Sequence, residues 1–536
     1  MLKRARRMLR WAIVALVVLV ASGVLLAGRL TPRASGAPSQ ALPVVAGQTP
    51  LDREIEPFLA RQKPGMTGAL LVPDGLDAFA ARALSARQAG RSLDLMYYIW
   101  HDDLTGRLLG REAYLAAERG VRVRLLLDDI NALGKDTALL ALDAHPNIEV
   151  RAYNPFRNRA GIGRTYELLQ RVFSLNHRMH NKAWIADNRV AVVGGRNIGV
   201  EYFAASRESN FHDLDLVLFG PAVAQASAVF DRFWNSAAVV PLSALNQAEG
   251  ADRDAVIAAI RAEAQGADAR KYLDRVDASP TVRAYVSQGL KPYYSDSLRI
   301  LSDPPVKAGV ADRSGWLVGE IALTLESARR KALIVSPYFV PGDEGTALLS
   351  GLARRGVDTG VVTNSLPSND VAAVYSGYAK YRPTLLRAGV KLYEIRAQPA
   401  PPARAGDQPT ASTRGSGSGG SGGGSAGASL HTKAFVVDDA RGFIGSFNMD
   451  PRSAALNTEM GVFFDHPGMA AAMRAEYLHL AGPTLSDWVW LDADGEIRWL
   501  DRAGAAPVVL DTEPGSTRWQ RVQARAIRWL PVESQL

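Results

Sequence analysis

Apolar and polar positions along this chain follow two periods in turn. Arg91–Ile99 (RSLDLMYYI) and Val121–Leu127 (VRVRLLL) are apolar at alternate positions or in short runs, as strands buried on one or both faces are. Between them, Leu109–Arg119 spaces its apolar residues as a helix does. Ile148–Tyr153 adds another strand-like run. From about Leu51 onward, this βαβ alternation predicts an α/β fold of mixed sheets flanked by helices.

The order then recurs. Ala332–Val340 (ALIVSPYFV) stands where Leu93–Trp100 stood. Arg355-Gly356-Val357 closes a helix and opens a strand, as Arg119-Gly120-Val121 did, and Val390–Ile395 echoes Ile148–Tyr153. A duplication of this kind predicts two halves related by a pseudo-twofold, with one site at their shared seam. The expected divisions are a first half over 51–241, a helical connection over 242–290, a second half over 291–480 and a C-terminal extension over 481–536. Residues 398–429, rich in Pro and then in Gly and Ser (GSGSGGSGGGSAG), cannot bury enough apolar surface to fold and are expected to form a disordered loop ending just before His431.

The N-terminus breaks this pattern. Met1–Arg10 carries Lys3, Arg4, Arg6, Arg7 and Arg10, and Trp11–Ala27 then runs 17 residues without a charge. That length is at the short edge of a spanning helix. The expectation is a basic cytoplasmic tail over 1–10, a transmembrane anchor over 11–28 and a linker over 29–50. The body then lies outside the cell membrane, in the periplasm if the cell has two membranes. The alternative is a signal peptide cleaved near Ala34-Ser35-Gly36, giving a secreted protein; the length of the apolar run favours the anchor.

Composition narrows the chemistry. An apolar share of 47% and a charged share of 22% fit ordinary globular domains. The net charge of +8 suits an anionic partner, phospholipid headgroups or nucleic acid, without choosing between them. With no cysteine, disulfides, thiolate nucleophiles, Cys-ligated zinc and lipid attachment to Cys are excluded.

One pattern occurs twice with identical spacing: His180-x-Lys182-x4-Asp187-x6-Gly194-Gly195-x-Asn197 and His431-x-Lys433-x4-Asp438-x6-Gly445-Ser446-x-Asn448. Residues i and i+2 of a strand share a face, so each copy projects an imidazole and an ammonium together. Asp187 and Asp438 fall in turns and are expected to be structural, and the small pairs Gly194-Gly195 and Gly445-Ser446 let backbone approach a bound group. Two copies at a seam supply what a phosphodiester needs. One neutral His attacks phosphorus, one protonated His donates to the leaving alkoxide, and Lys182, Lys433, Asn197 and Asn448 hold the non-bridging oxygens. Each His also needs an orienting carboxylate. Asp213 and Glu459, each opening an apolar strand beyond its own motif, are the candidates; Asp213 is expected to serve His180, and Asp215 is its rival.

Taken singly, these features are bland. A lone His-x-Lys is usual on a surface strand. His177-x-x-His180 has metal-pair spacing but no third ligand cluster, so no metal and no cofactor are expected. His101, His145, His212, His466 and His479 stand outside any pattern. The weight lies in the repetition of the whole motif on a repeated framework.

The doubled motif resembles the phospholipase D superfamily and, within it, bacterial cardiolipin synthases of the C type. The matching stretches are NHRMHNKAWIADNRVAVVGGRNIGVEYF at 176–203, SPYFVPGDEG at 336–345, GSFNMDPRSAALNTEMGV at 445–462 and the terminal PVESQL. The resemblance implies a phosphatidyl group carried on one His, usually that of the first motif (His180), and passed to the terminal glycerol hydroxyl of phosphatidylglycerol. Phosphatidylethanolamine is the donor implied by the C type. It further implies phospholipid and membrane partners and no nucleic acid; no helper protein is identified. Hydrolysis to phosphatidic acid, a nuclease activity as in small dimeric relatives, and a non-catalytic scaffold are the alternatives, the last opposed by intact His, Lys and Asn in both copies. Trp488, Trp490, Trp499, Trp519 and Trp529 are candidates for contact with a membrane surface.

Overall fold

The computed structural model describes residues 36–132, 136–156, 176–245, 253–287, 289–307, 310, 312–397, 430–529, 533 and 536. The expected basic tail, the membrane span and the 398–429 loop lie outside these residues. Among the described residues, no helix is long and apolar enough to cross a membrane.

The first sheet is built from β1 (Thr67–Val72), β2 (Ser92–Tyr97), β3 (Arg122–Asp128), β4 (Ile148–Tyr153), β5 (Ala183–Ala186), β6 (Val190–Gly194), β7 (Asp215–Phe219), β8 (Val239–Pro241) and β9 (Tyr293–Ser295). Their order is β8-β4-β3-β2-β5-β6-β7-β1-β9. The second sheet is built from β10 (Arg299–Ser302), β11 (Lys331–Val335), β12 (Asp358–Asn364), β13 (Lys391–Ile395), β14 (Ala434–Val437), β15 (Arg441–Gly445), β16 (Met460–Asp465), β17 (Ser486–Leu491), β18 (Ile497–Asp501) and β19 (Val508–Leu510). Its order is β10-β16-β15-β14-β11-β12-β13-β17-β18-β19. Taken from β17 to β10, the second sheet repeats the run from β8 to β1 position by position. In each, three central strands are parallel (β2, β3, β4 and β11, β12, β13) and the motif hairpin joins them antiparallel. The fold is thus α/β, with two mixed sheets in two equivalent halves.

Strand alternation explains how the halves meet. In β5, Trp184 and Ala186 face the helices of the first half, while Ala183 and Ile185 enter a second cluster. In β14, Phe435 and Val437 face the helices of the second half, while Ala434 and Val436 enter that same cluster. The shared cluster therefore draws on both sheets and buries the seam.

The helical connection, with helices Arg253–Ala262, Ala267–Asp277 and Pro280–Val286, packs on the first half. The Tyr272 hydroxyl donates to the Phe203 carbonyl at 2.9 Å. The chain still pairs with the first sheet at β9 and enters the second at β10, so the crossover falls at residues 296–298. Beyond 480 the chain adds β17–β19 to the second sheet. Trp499 of β18 is a core residue, 3% exposed, with its indole N–H on Glu394 at 2.9 Å, which removes it from the candidates for membrane contact. From Gly36 onward the linker stretch is tied to the first half: Arg151 donates to the Ala37 carbonyl at 2.6 Å and Arg124 to the Ser39 carbonyl at 3.1 Å.

The motif aspartates hold the framework. Asp187 and Asn188 have φ of 55° and 54°, and Asp438 and Asp439 have 54° and 56°. This left-handed conformation suits Asp and Asn in a hairpin turn. The Asp187 carboxylate accepts the backbone N–H groups of Gly90, Arg91 and Ser92 at 2.9, 2.7 and 2.9 Å, and Asp438 accepts those of Arg329, Arg330 and Lys331 at 2.9, 2.7 and 2.9 Å. Each Asp thus pins its hairpin to the start of the central strand. Asp187→Ala leaves buried donors unpaired and is expected to cost about 2–4 kcal/mol in urea unfolding. A change under about 0.5 kcal/mol would contradict this role.

Candidate active site

His180 and Lys182 precede β5, and His431 and Lys433 precede β14, so both motifs open on the seam. The backbone joins them there. The His180 N–H donates to the Thr458 carbonyl at 2.9 Å, and the N–H groups of His431 and Thr432 donate to the His212 carbonyl at 2.8 and 3.0 Å. Thr458 directly precedes Glu459, and His212 directly precedes Asp213. Each half therefore delivers its carboxylate to the motif of the other half.

The side chains follow. His180 Nδ1 lies 2.8 Å from Glu459 Oε2, and His431 Nδ1 lies 2.6 Å from Asp213 Oδ2. The expected assignment of Asp213 to His180 is thus reversed. Strand order within one half cannot give this, because the pseudo-twofold brings the end of each motif strand against the opposite half. Asp215 is a structural residue, paired with Arg82 at 2.9 Å and Arg196 at 3.4 Å. With Nδ1 engaged, Nε2 of each imidazole is the nitrogen left for chemistry.

The two carboxylates are supported differently. Gly195 has no side chain because a Cβ there would collide with Asp213 Oδ1. The longer Glu459 sets its carboxylate farther out, and Ser446 occupies the equivalent place. Its hydroxyl donates to Glu459 Oε2, and the Ser453 hydroxyl donates to Oε1 at 3.0 Å. Asp303 accepts the Glu459 N–H at 2.9 Å, while Lys307 ties Asp303 to the carbonyls of Ser453 and Asn457 at 2.9, 2.8 and 2.9 Å. Gly194 and Gly445 likewise lie against strand backbone that leaves no room for a Cβ.

Lys182 and Lys433 each donate to the carbonyl of their own motif His. Asn197 is braced by the Tyr202 hydroxyl at 2.9 Å and the Ile99 N–H at 3.2 Å. Asn448 has a buried side-chain carbonyl without a hydrogen-bond partner among the described residues. Aromatic rings that the motif spacing did not indicate wall the imidazoles. Tyr98 meets His180 edge-on at 5.1 Å, Tyr202 meets His431 edge-on at 5.1 Å, and Phe211 stacks on His431 at 5.5 Å.

Burial sets the protonation states. It presses both imidazoles well below the ordinary histidine range, and Lys182 and Lys433 add to the effect. Burial also lowers Lys182, and lowers Lys433 to about 8. It raises Glu459 to about 7, opposed by Lys182 and the serine hydroxyls. These surroundings thus favour neutral imidazoles. An anion placed among the two ammonium groups would offset the repulsion that depresses His431. The arrangement can hold a phosphate group with a nucleophile on one side and a proton donor on the other.

Other histidines have local roles. His466 Nδ1 caps the helix Pro467–Leu480 by accepting the Met469 N–H at 3.2 Å. His101, Asp103 and Glu201 bring ligand-type atoms within 4.8 Å of one another, a grouping the spacing did not show. Asp103 is already engaged there, accepting the N–H groups of Gly106 at 2.9 Å and Val200 at 2.8 Å.

Comparison with known proteins agrees with this geometry. A family profile described as "Cardiolipin synthase, PLD-like domain" matches residues 85–234 and 321–481, one segment in each half. Cardiolipin synthase C of Escherichia coli (strain K12) is 41% identical over 482 residues, covering 89% of this chain and 97% of that protein. An uncharacterized protein of Helicobacter pylori (strain ATCC 700392 / 26695) is 33% identical, covering 77% of this chain and 79% of that one. The crystal structure of phosphatidylserine synthase from Haemophilus influenzae Rd KW20 shares the fold, with a TM-score of 0.54 at 13% identity over 91% of this chain and 100% of that one. The chain belongs to the cardiolipin synthase family built on phospholipase D-like domains.

Proposed function

We propose that this protein is a phosphatidyltransferase that makes cardiolipin, moving a phosphatidyl group through a phosphohistidine to the glycerol hydroxyl of phosphatidylglycerol. The observation that carries the proposal is the pair of His–carboxylate contacts exchanged across the seam. They engage Nδ1 of both imidazoles and leave each Nε2 outside those contacts, with Lys182 and Lys433 near enough to act on both rings.

His180 is assigned as nucleophile. Its partner Glu459 is held by two serine hydroxyls, an arrangement suited to stabilising the positive charge that the ring gains on phosphorylation. In the first step His180 Nε2 attacks phosphorus, the P–O bond to the donor headgroup breaks, and His431 gives its proton to the leaving alkoxide. In the second, His431 takes the proton of the acceptor hydroxyl, whose oxygen attacks phosphorus and releases His180. Lys182, Lys433, Asn197 and Asn448 hold the non-bridging oxygens in both steps. The donor lipid is phosphatidylglycerol or phosphatidylethanolamine. We place the body outside the cell membrane, anchored through Trp11–Ala27, on the charge of Met1–Arg10.

Incubation of the purified protein with phosphatidylglycerol, with and without phosphatidylethanolamine, is expected to yield cardiolipin by mass spectrometry. Phosphatidic acid alone would assign hydrolysis instead. His180→Ala and His431→Ala are each expected to remove nearly all turnover while keeping the fold by circular dichroism. Peptide mapping of an intermediate trapped under alkaline conditions should find the phosphoryl group at His180, and a label at His431 would reverse the roles.

The crossed carboxylates have distinguishable effects on the first step. Glu459→Gln is expected to slow phosphorylation of His180 by about 10²-fold or more. Asp213→Asn, acting on His431, should spare formation of the phosphohistidine from an activated donor whose leaving group needs no proton while still slowing its transfer to the acceptor hydroxyl, so rescue of that first step in Glu459→Gln in place of Asp213→Asn would contradict the assignment.

The depressed pKa of His431 has a measurable counterpart. An anion between Lys182 and Lys433 raises that pKa, so binding takes up a proton near neutral pH. Calorimetry with a non-reactive lipid phosphonate, in buffers of different ionisation enthalpy, should show net proton uptake. Proton release on binding would contradict the electrostatic account.

A further inference from the structure

Helix Arg518–Ile527 near the C-terminus is well capped. Thr517 accepts the Gln520 N–H at 3.1 Å, and the Gln520 side chain accepts the Thr517 N–H at 2.8 Å. Its inner side, with Ala524 only 7% exposed, joins the core of the second half against helix Ala372–Arg387. The outer side is unusual for a surface helix. Trp519, Val522 and Trp529 are 71%, 53% and 89% exposed, and with Ala526 they recur at helical spacing along one line. An apolar line of this kind ordinarily faces a core.

A basic line runs beside it. Arg518, Arg521, Arg525 and Arg528 repeat the same spacing one residue earlier. Arg521 is held by Ser516, donating to its carbonyl at 2.8 Å. Arg518, Arg525 and Arg528 are exposed and make no ion pair or side-chain hydrogen bond among the described residues, so three guanidinium groups flank the tryptophans uncompensated. Indole rings suit the depth of lipid headgroups, with an apolar body and a wet N–H, and uncompensated arginines suit anionic headgroups at that depth.

We propose that this face is a docking surface for an anionic phospholipid bilayer, with Trp519, Val522 and Trp529 inserted among the headgroups and Arg518, Arg525 and Arg528 on lipid phosphates. The helix beneath it begins two residues after Asp370, whose carboxylate takes the Tyr338 hydroxyl at 2.8 Å and acts on Lys433. The surface lies on the same molecule as the proposed phosphatidyl transfer, but either can hold without the other.

The absence of cysteine makes a direct test simple. Val522→Cys in the full chain carries an environment-sensitive nitrobenzoxadiazole probe, and Val286→Cys, at a site 75% exposed on another helix, is the control. Each labelled protein is reconstituted into phosphatidylcholine vesicles with or without phosphatidylglycerol. With phosphatidylglycerol, the probe at 522 should shift to the blue and be quenched by nitroxide-labelled lipid, while the probe at 286 should show neither change. Reversal of Arg518, Arg525 and Arg528 to Glu, or high salt, should abolish the quenching. A probe at 522 that stays as wet as that at 286 on anionic vesicles would overturn the proposal. A blue shift without lipid that grows with protein concentration would also overturn it, assigning the face to a second copy of the chain. The readout contains no turnover, so a chain that docks without making cardiolipin refutes the transfer proposal alone.

Discussion

The exchange of carboxylates between halves is the constraint on which the site depends. Neither motif is complete within its own half, since His180 finds its partner in Glu459 and His431 in Asp213. The contact is fixed twice, by side chains and by the backbone pairing of His180 with Thr458 and of His431 with His212. The apolar cluster shared by both sheets then makes the seam a core, so the pocket is rigid because the halves cannot part without exposing it. The same burial presses both imidazoles towards the neutral form and makes the ammonium groups costly to keep charged, which favours an anion between them.

Within this twofold plan the halves are unequal. Asp213 is short and needs Gly195 beside it; Glu459 is longer and is braced by Ser446 and Ser453. The buried Asp303–Lys307 pair secures the loop that carries Glu459, whereas Arg196 secures Asp213 from behind by donating to its carbonyl at 2.6 Å. Two chemically different surroundings for one residue type are what a reaction with a separate nucleophile and proton donor requires.

Much of this was legible in the sequence. The repeated motif, the βαβ alternation and the turn-forming aspartates rest on spacing within one half, which strand and turn geometry convert directly into structure. The crossed pairing was not legible, because distance along the chain from His180 to Asp213 carries no information about which half closes over the imidazole. The rings of Tyr98, Tyr202 and Phe211 come from segments outside the motif and reach the site only through the fold. Trp499 and Trp519 look alike as letters. The first sits on a strand at an inward position and finds Glu394, while the second sits on the outer line of a helix.

The central claim is that Glu459 serves His180 and Asp213 serves His431. Selective 15N labelling of histidine, followed by observation of the low-field imidazole Nδ1–H protons at low temperature, tests it without any turnover. The account predicts that Glu459→Gln shifts the His180 resonance and leaves that of His431, and that Asp213→Asn does the converse. Movement of the His180 resonance by Asp213→Asn, with that of His431 unchanged, would contradict it.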